Sequence, residues 1–183
     1  MTQFGRLPMQ RMTTEERDRL SLYLRDNDLQ DWLIWRLMEE GFLRISEVLS
    51  LRAGDVLPDG RIVCHRKKGS KANVLPVRDS EVWSALLCLL KIRPHKADVL
   101  FNRPRRTFDW RLKQAGEKCG IPVEKCHAHT AKHNACQEAL DETGHNVLAV
   151  KELAGHESIS STLIYLNMTT ADALKLREGN SNG

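Results

Sequence analysis

The sequence predicts an α+β fold that is mostly α: a helical bundle with a small three-stranded antiparallel β-sheet. Three observations carry that expectation. Most of the chain repeats apolar residues three and four positions apart, the period of a helix with one buried side. Strand-like runs are short and confined to residues 61–65, 73–77 and 99–101. The 183 residues, 41% hydrophobic and 28% charged, suit a single domain with a sizeable core.

Residues 1–12 lack periodicity and are expected to form a loose arm. Thr13 and Glu16 stand three apart, as in a capping box, and open a helix to about Arg25. Residues 31–38, rich in Trp, Leu and Met, read as a second helix buried in the core. Gly41 ends it, and Ile45, Val48, Leu49 and Leu51 give the stripe of a new helix with Arg44 at its start. A helix N-terminus already carries partial positive charge, so arginine is electrostatically poor there. Arg44 either faces an anion or is a surface arginine paired with Glu47.

Asp59-Gly60 marks a turn into the first hairpin strand, and Lys67-Lys68-Gly69-Ser70-Lys71 makes the hairpin tip. From Arg61 to Lys71 there are five Lys/Arg and no acid. That is a phosphate-contacting finger or simply a soluble turn. Residues 80–90 form an amphipathic helix ended by Arg93-Pro94-His95. Residues 103–119 form another, with Phe108, Leu112 and Ala115 inward. Its Arg103, Arg105, Arg106, Arg111 and Lys113 suit a helix lying along a polyanion such as a DNA backbone. After Gly120-Ile121-Pro122 the helical pattern resumes over 127–142 and stops at Gly144. Asn146 caps a helix over 147–153. Ala154-Gly155-His156 then leads through small hydroxyl residues into a short helix bearing Tyr165, one of only two tyrosines. Residues 169–177 suit a last short helix before a polar tail, 178–183.

A net charge of +4 permits an anionic partner without demanding one. No apolar run approaches a membrane span, and residues 1–12 lack the apolar core of a secretory signal. Five cysteines, an odd number without paired spacing, read as reduced thiols in a cytoplasmic protein. Cys119, Cys126, His127, His129 and His133 cluster in sequence, but not at a spacing recognised for tetrahedral zinc. No metal or cofactor is expected.

Taken together, Gly41-Phe42-Leu43-Arg44-Ile45-Ser46-Glu47, Lys68-Gly69-Ser70-Lys71 before Val74-Leu75-Pro76-Val77, His129-Thr130-Ala131-Lys132-His133, and Leu153-Ala154-Gly155-His156 with Tyr165 nine residues on resemble the tyrosine recombinase, or phage integrase, catalytic domain. Each box is weak alone, and four in order form a strong signal. The resemblance implies metal-free DNA strand cleavage and rejoining through a 3′-phosphotyrosine link, with Tyr165 as nucleophile. It implies that Arg44 holds non-bridging oxygens, Lys68 protonates the leaving oxygen, His129 acts as base or phosphate donor, and His156 donates to the phosphate. Lys132 occupies the position of the second arginine. Glu47 and His133 are expected in supporting roles, and Arg66, Lys67, Lys71, Arg103, Arg105, Arg106 and Arg111 on DNA. The implied partner is double-stranded DNA bound by a homo-tetramer on paired sites, with no membrane and no small-molecule substrate. The implied site of action is the cytoplasm of a bacterial or phage-infected cell. The expected organisation is an arm over 1–12, a catalytic domain over 13–177 and a tail over 178–183, like the short single-domain members.

The sequence departs from the family's pattern at Lys132, which keeps charge but lacks the planar fork of arginine, and at Ala131, where a larger apolar residue is usual. No separate clamp domain precedes Arg44 within this sequence. Lysine at 132 and the missing clamp motivate an alternative, a non-catalytic or attenuated DNA-binding relative. A zinc module built on the Cys/His cluster is the third reading.

Overall fold

The computed structural model describes residues 11–65, 73–156 and 158–163. Along them run α1 (Thr14–Asn27), α2 (Leu29–Glu40), α3 (Ile45–Val48), β1 (Arg61–Cys64), β2 (Asn73–Pro76), α4 (Ser80–Ile92), α5 (Arg105–Lys118), α6 (Ala128–Glu142), α7 (Val147–Ala154) and α8 (Ser160–Leu163). The expected mixture, mostly helix with a small antiparallel sheet, is what the chain forms.

Helix α2 is the axis of the core. Trp32, Leu33, Ile34, Trp35, Leu37 and Met38 are all buried, so the helix is covered on nearly every side. It packs against α1, α3, α4 and α6. The capping box read from Thr13 and Glu16 is present: Thr13 Oγ1 accepts from the Glu16 N–H at 3.2 Å, and Glu16 Oε2 accepts from the Thr13 N–H at 2.8 Å. Met12 is already buried, and its N–H donates to Asn134 Oδ1 of α6 at 3.1 Å. The end of the expected arm is thus held on the helical body. Among the described residues no helix is long and apolar enough to cross a membrane.

The sheet differs from expectation by one strand. Strands β1 and β2 pair antiparallel with Arg61 opposite Pro76 and Cys64 opposite Asn73. The expected third strand, residues 99–101, makes a single bridge between Val99 and Arg52 instead. Leu100 and Phe101 are consecutive and both buried. An edge strand with one solvated face would alternate; this segment is a plug in the core. The hairpin tip, with Arg66, Lys67, Lys68 and Lys71, lies outside the described residues.

Helix α5 buries Phe108, Leu112 and Ala115 as the periodicity predicts. Its arginines, all expected on DNA, divide into two groups. Arg103, just before the helix, and Arg111 within it hold the carboxylates of Asp28 and Asp31. Asp28 Oδ2 lies 2.7 Å from Nη2 of each arginine. Asp31 Oδ1 lies 2.7 Å from Arg103 Nε, and its other oxygen meets Arg111 Nε. Asp31 is 1% exposed, and burial pushes its carboxyl up while Arg111 and Arg103 pull it down. These guanidiniums clamp α5 to the start of α2. Arg105 and Arg106 are exposed.

This cluster sets a stability test. Asp31→Ala leaves two cations facing a partly buried site and is expected to cost about 3–5 kcal/mol. Arg11→Ala breaks a pair exposed on both sides, Arg11 with Asp141 at 3.0 Å, and is expected to cost under about 1 kcal/mol. Urea denaturation of the two variants checks this; equal losses contradict the structural role given to Asp31.

Candidate active site

Arg44 is delivered by the way α2 ends. Gly41 permits a close approach, because a Cβ there would lie 3.0 Å from Leu37 O and 3.0 Å from Leu43 Cγ. The chain then turns through Phe42 at φ 52, a conformation that non-glycine residues rarely adopt. The Leu43 N–H returns to Met38 O at 3.2 Å, the long bond of a Schellman turn. Phe42 holds its strained backbone with its ring packed near Cys136, Ala139, Leu140, Val150 and Ala154.

Arg44 follows as the N-cap of α3. The Glu47 carboxylate accepts from the Arg44 N–H at 2.8 Å and from Nη1 at 3.0 Å. Glu47 is 1% exposed while the Arg44 side chain is 42% exposed. The pairing of Arg44 with Glu47, one of the two readings from the sequence, is present. That pair anchors one edge of a guanidinium that still reaches the surface.

His129 sits in the first turn of α6. Asp109 ties that turn to α5, accepting from the Ala128 N–H at 3.2 Å. Arg105 Nη2 comes to 3.4 Å from His129 Nε2. His129 is exposed as a residue, yet its pKa is depressed below the ordinary value of 6.5. Desolvation by the surrounding protein is the largest cause, then the charge of Arg105; Asp109 opposes, and Arg44 and Lys132 add to the depression. His127, whose ring centroid is 6.4 Å from that of His129, is likewise depressed, by burial first and by His129 second. At neutral pH both rings are neutral, so His129 has a lone pair available to accept a proton.

Lys132 and His133 are buried one turn further along α6. The Lys132 ammonium donates to Ala154 O at 2.7 Å. That contact joins α6 to the end of α7, where Gly155 turns the chain at φ 58, a conformation suited to glycine. The His156 N–H then bonds Lys151 O at 3.0 Å. His156 Nδ1 lies 2.9 Å from Thr162 Oγ1, and both residues are buried.

Thus Arg44 and Lys132 both act on the His129 ring, and Lys132 is bonded to Ala154, two residues before His156. Arg103 and Arg111 are held by their carboxylates. Lys68 and Tyr165 lie outside the described residues. Asp109 and Thr162 were not singled out from the sequence. Asp109 had a legible signal, its place one helical turn after Arg105; Thr162 had none. Among the described residues no three His, Cys, Asp or Glu are placed to hold a metal ion. Cys126 packs its Sγ 3.4 Å from Pro122 O, and burial pushes its thiol up to about 11.

The fold has counterparts among known proteins. The chain is 30% identical over 177 residues to the tyrosine recombinase XerA of Thermococcus kodakarensis, covering 91% of this chain and 61% of that protein. It thus spans less than two thirds of that relative's length. The catalytic domain of bacteriophage HP1 integrase superposes with a TM-score of 0.66 at 23% identity, covering 95% of this chain and 98% of that one. The Tn1549 transposon integrase, solved in complex with transposon right end DNA, superposes with a TM-score of 0.80 at 19% identity, covering 100% of this chain and 69% of that one. The model of the phage integrase family matches residues 10–172. With most of its length inside that match, the chain belongs to the phage integrase family of tyrosine recombinases.

Proposed function

We propose that this chain is a site-specific DNA recombinase that cleaves and rejoins strands through a 3′-phosphotyrosine intermediate. The observation that carries the reading is the convergence of Arg44 and Lys132 on the His129 ring, with Lys132 bonded to Ala154 O two residues before His156. Family membership and the activity named for the Thermococcus relative support it.

In the proposed step, the phenol oxygen of Tyr165 attacks the scissile phosphorus. A phosphorus–tyrosine oxygen bond forms as the bond to the 5′-oxygen breaks. The phenol proton passes to His129, and Lys68 gives a proton to the departing 5′-oxygen. Phenol has a pKa near 10, so only about one tyrosine in a thousand is ionised at neutral pH, and a base is needed. Arg44 holds the non-bridging oxygens with the edge of its guanidinium that Glu47 leaves open. Lys132 and His156 add donors to the charge that builds in the transition state. A 5′-hydroxyl from a second strand reverses the step, so no nucleotide cofactor is consumed.

The domain is assigned to residues 13–177, with 1–12 an arm anchored at its last residue and 178–183 a tail. The partner is double-stranded DNA, bound by a homo-tetramer on paired sites in the cytoplasm of a bacterial or phage-infected cell. Phosphate contacts are assigned to Arg66, Lys67, Lys71, Arg105 and Arg106. Arg103 and Arg111 are left out because Asp28 and Asp31 already neutralise them.

Incubation with a nicked suicide duplex should give a covalent protein–DNA adduct on a denaturing gel, absent from Tyr165→Phe. No adduct from the wild-type chain on any duplex that it binds would establish a DNA-binding relative without cleavage. Lys132→Met should slow adduct formation by roughly 10²–10³-fold, the cost typical of one lost transition-state donor. A single-turnover rate equal to wild type would remove Lys132 from the reaction.

A further inference from the structure

Arg105 stands at the start of α5, and its Nη2 is 3.4 Å from His129 Nε2. Its other edge is anchored, with Nε 3.5 Å from Asp109 Oδ2. The other oxygen of the same carboxylate accepts the first N–H of α6 at 3.2 Å. Asp109 therefore fixes guanidinium and imidazole relative to each other, while the Arg105 side chain stays 54% exposed.

The charges around His129 are unbalanced. Arg105 from α5, Arg44 from the start of α3 and Lys132 on α6 all repel a proton from the ring; Asp109 opposes them, and neutral His127 is its neighbour. A cluster of cations costs free energy unless an anion joins it. Lysine at position 132 is buried and spends a hydrogen bond on Ala154 O. It also lacks the planar fork with which arginine meets two phosphate oxygens. Arg105 is an exposed guanidinium facing the same ring.

Resting on the recombinase reading, we propose that Arg105 is a catalytic residue, whose guanidinium binds a non-bridging oxygen of the scissile phosphate across from Arg44 and supplies the fork that Lys132 lacks. It acts at the reacting phosphate and not merely along the DNA backbone. Its second effect is to keep His129 unprotonated and able to take the phenol proton.

The test compares wild type, Arg105→Gln and Arg105→Lys by single-turnover cleavage at saturating protein. Two suicide duplexes are used, one with a normal scissile phosphodiester and one with an uncharged methylphosphonate there. Arg105→Gln should be roughly 10²–10³-fold slower on the phosphodiester, with Arg105→Lys between it and wild type. The gap should narrow on the methylphosphonate, which has no anionic oxygen to compensate. Losing this cation also lets His129 take a proton more easily, so the acid-side fall in rate should move to higher pH in Arg105→Gln. Wild-type cleavage with an unimpaired Arg105→Gln variant overturns the assignment. So does an equal loss on both duplexes with an unmoved pH profile, which marks a structural role. A wild-type chain that forms no adduct overturns the recombinase reading itself, and this inference with it.

Discussion

The Glu47 carboxylate, almost without contact with water, is the constraint from which the rest of the site follows. Burying an ionised carboxylate is costly unless charge and hydrogen bonds replace its hydration. Arg44 contributes to both, through its backbone N–H and its guanidinium. Removing the arginine takes a charge and two hydrogen bonds from a buried carboxylate. Its position is therefore inherited from α2, the core helix whose Schellman turn and strained Phe42 deliver it. A cation at a helix start, where the backbone already bears partial positive charge, is held there by an acid beneath it.

The molecule uses arginine in two ways, and carboxylates decide which. Arg103 and Arg111 lie against Asp28 and Asp31 in a compact charge cluster that binds α5 to α2. Arg44 and Arg105 each meet a carboxylate on one side and keep substantial exposure on the other. Desolvation is the largest cause of the depressed pKa of His129, and these two with Lys132 add to it against the opposing charge of Asp109. A surplus of positive charge beside a neutral, accessible base is suited to meeting an anion that needs both compensation and deprotonation of its attacker. The surplus also biases stability. Because the folded pKa of His129 lies below 6.5, its contribution is complete above that pH and is lost as pH falls through the folded pKa.

Much of this was legible in the sequence where it depended on near neighbours. The Thr13–Glu16 box, the inward row of Phe108, Leu112 and Ala115, the Asn146 cap and the glycine before His156 are local patterns, and each has its expected structure. The pairing of Arg44 with Glu47 spans one turn and was visible as one of two readings. What sequence did not reveal depends on distant pairing. Nothing near Arg103 or Arg111 announces carboxylates more than seventy positions away, so both were read with Arg105 and Arg106 as DNA contacts. Residues 99–101 had the composition of a strand, but burial of two consecutive side chains seats them in the core. Asp109 draws its importance from Ala128, nineteen positions on. Arg66, Lys67, Lys68, Lys71 and Tyr165, also expected at the site, lie outside the described residues.

The position of a single phosphate is decisive. An experimental structure of the Tyr165→Phe chain bound to a duplex that it recognises would locate it. The prediction is one phosphodiester within hydrogen-bonding distance of the Arg44 guanidinium, with the His129 ring beside it. DNA tracking across the basic surface with Arg44 facing only Glu47 and solvent would contradict it.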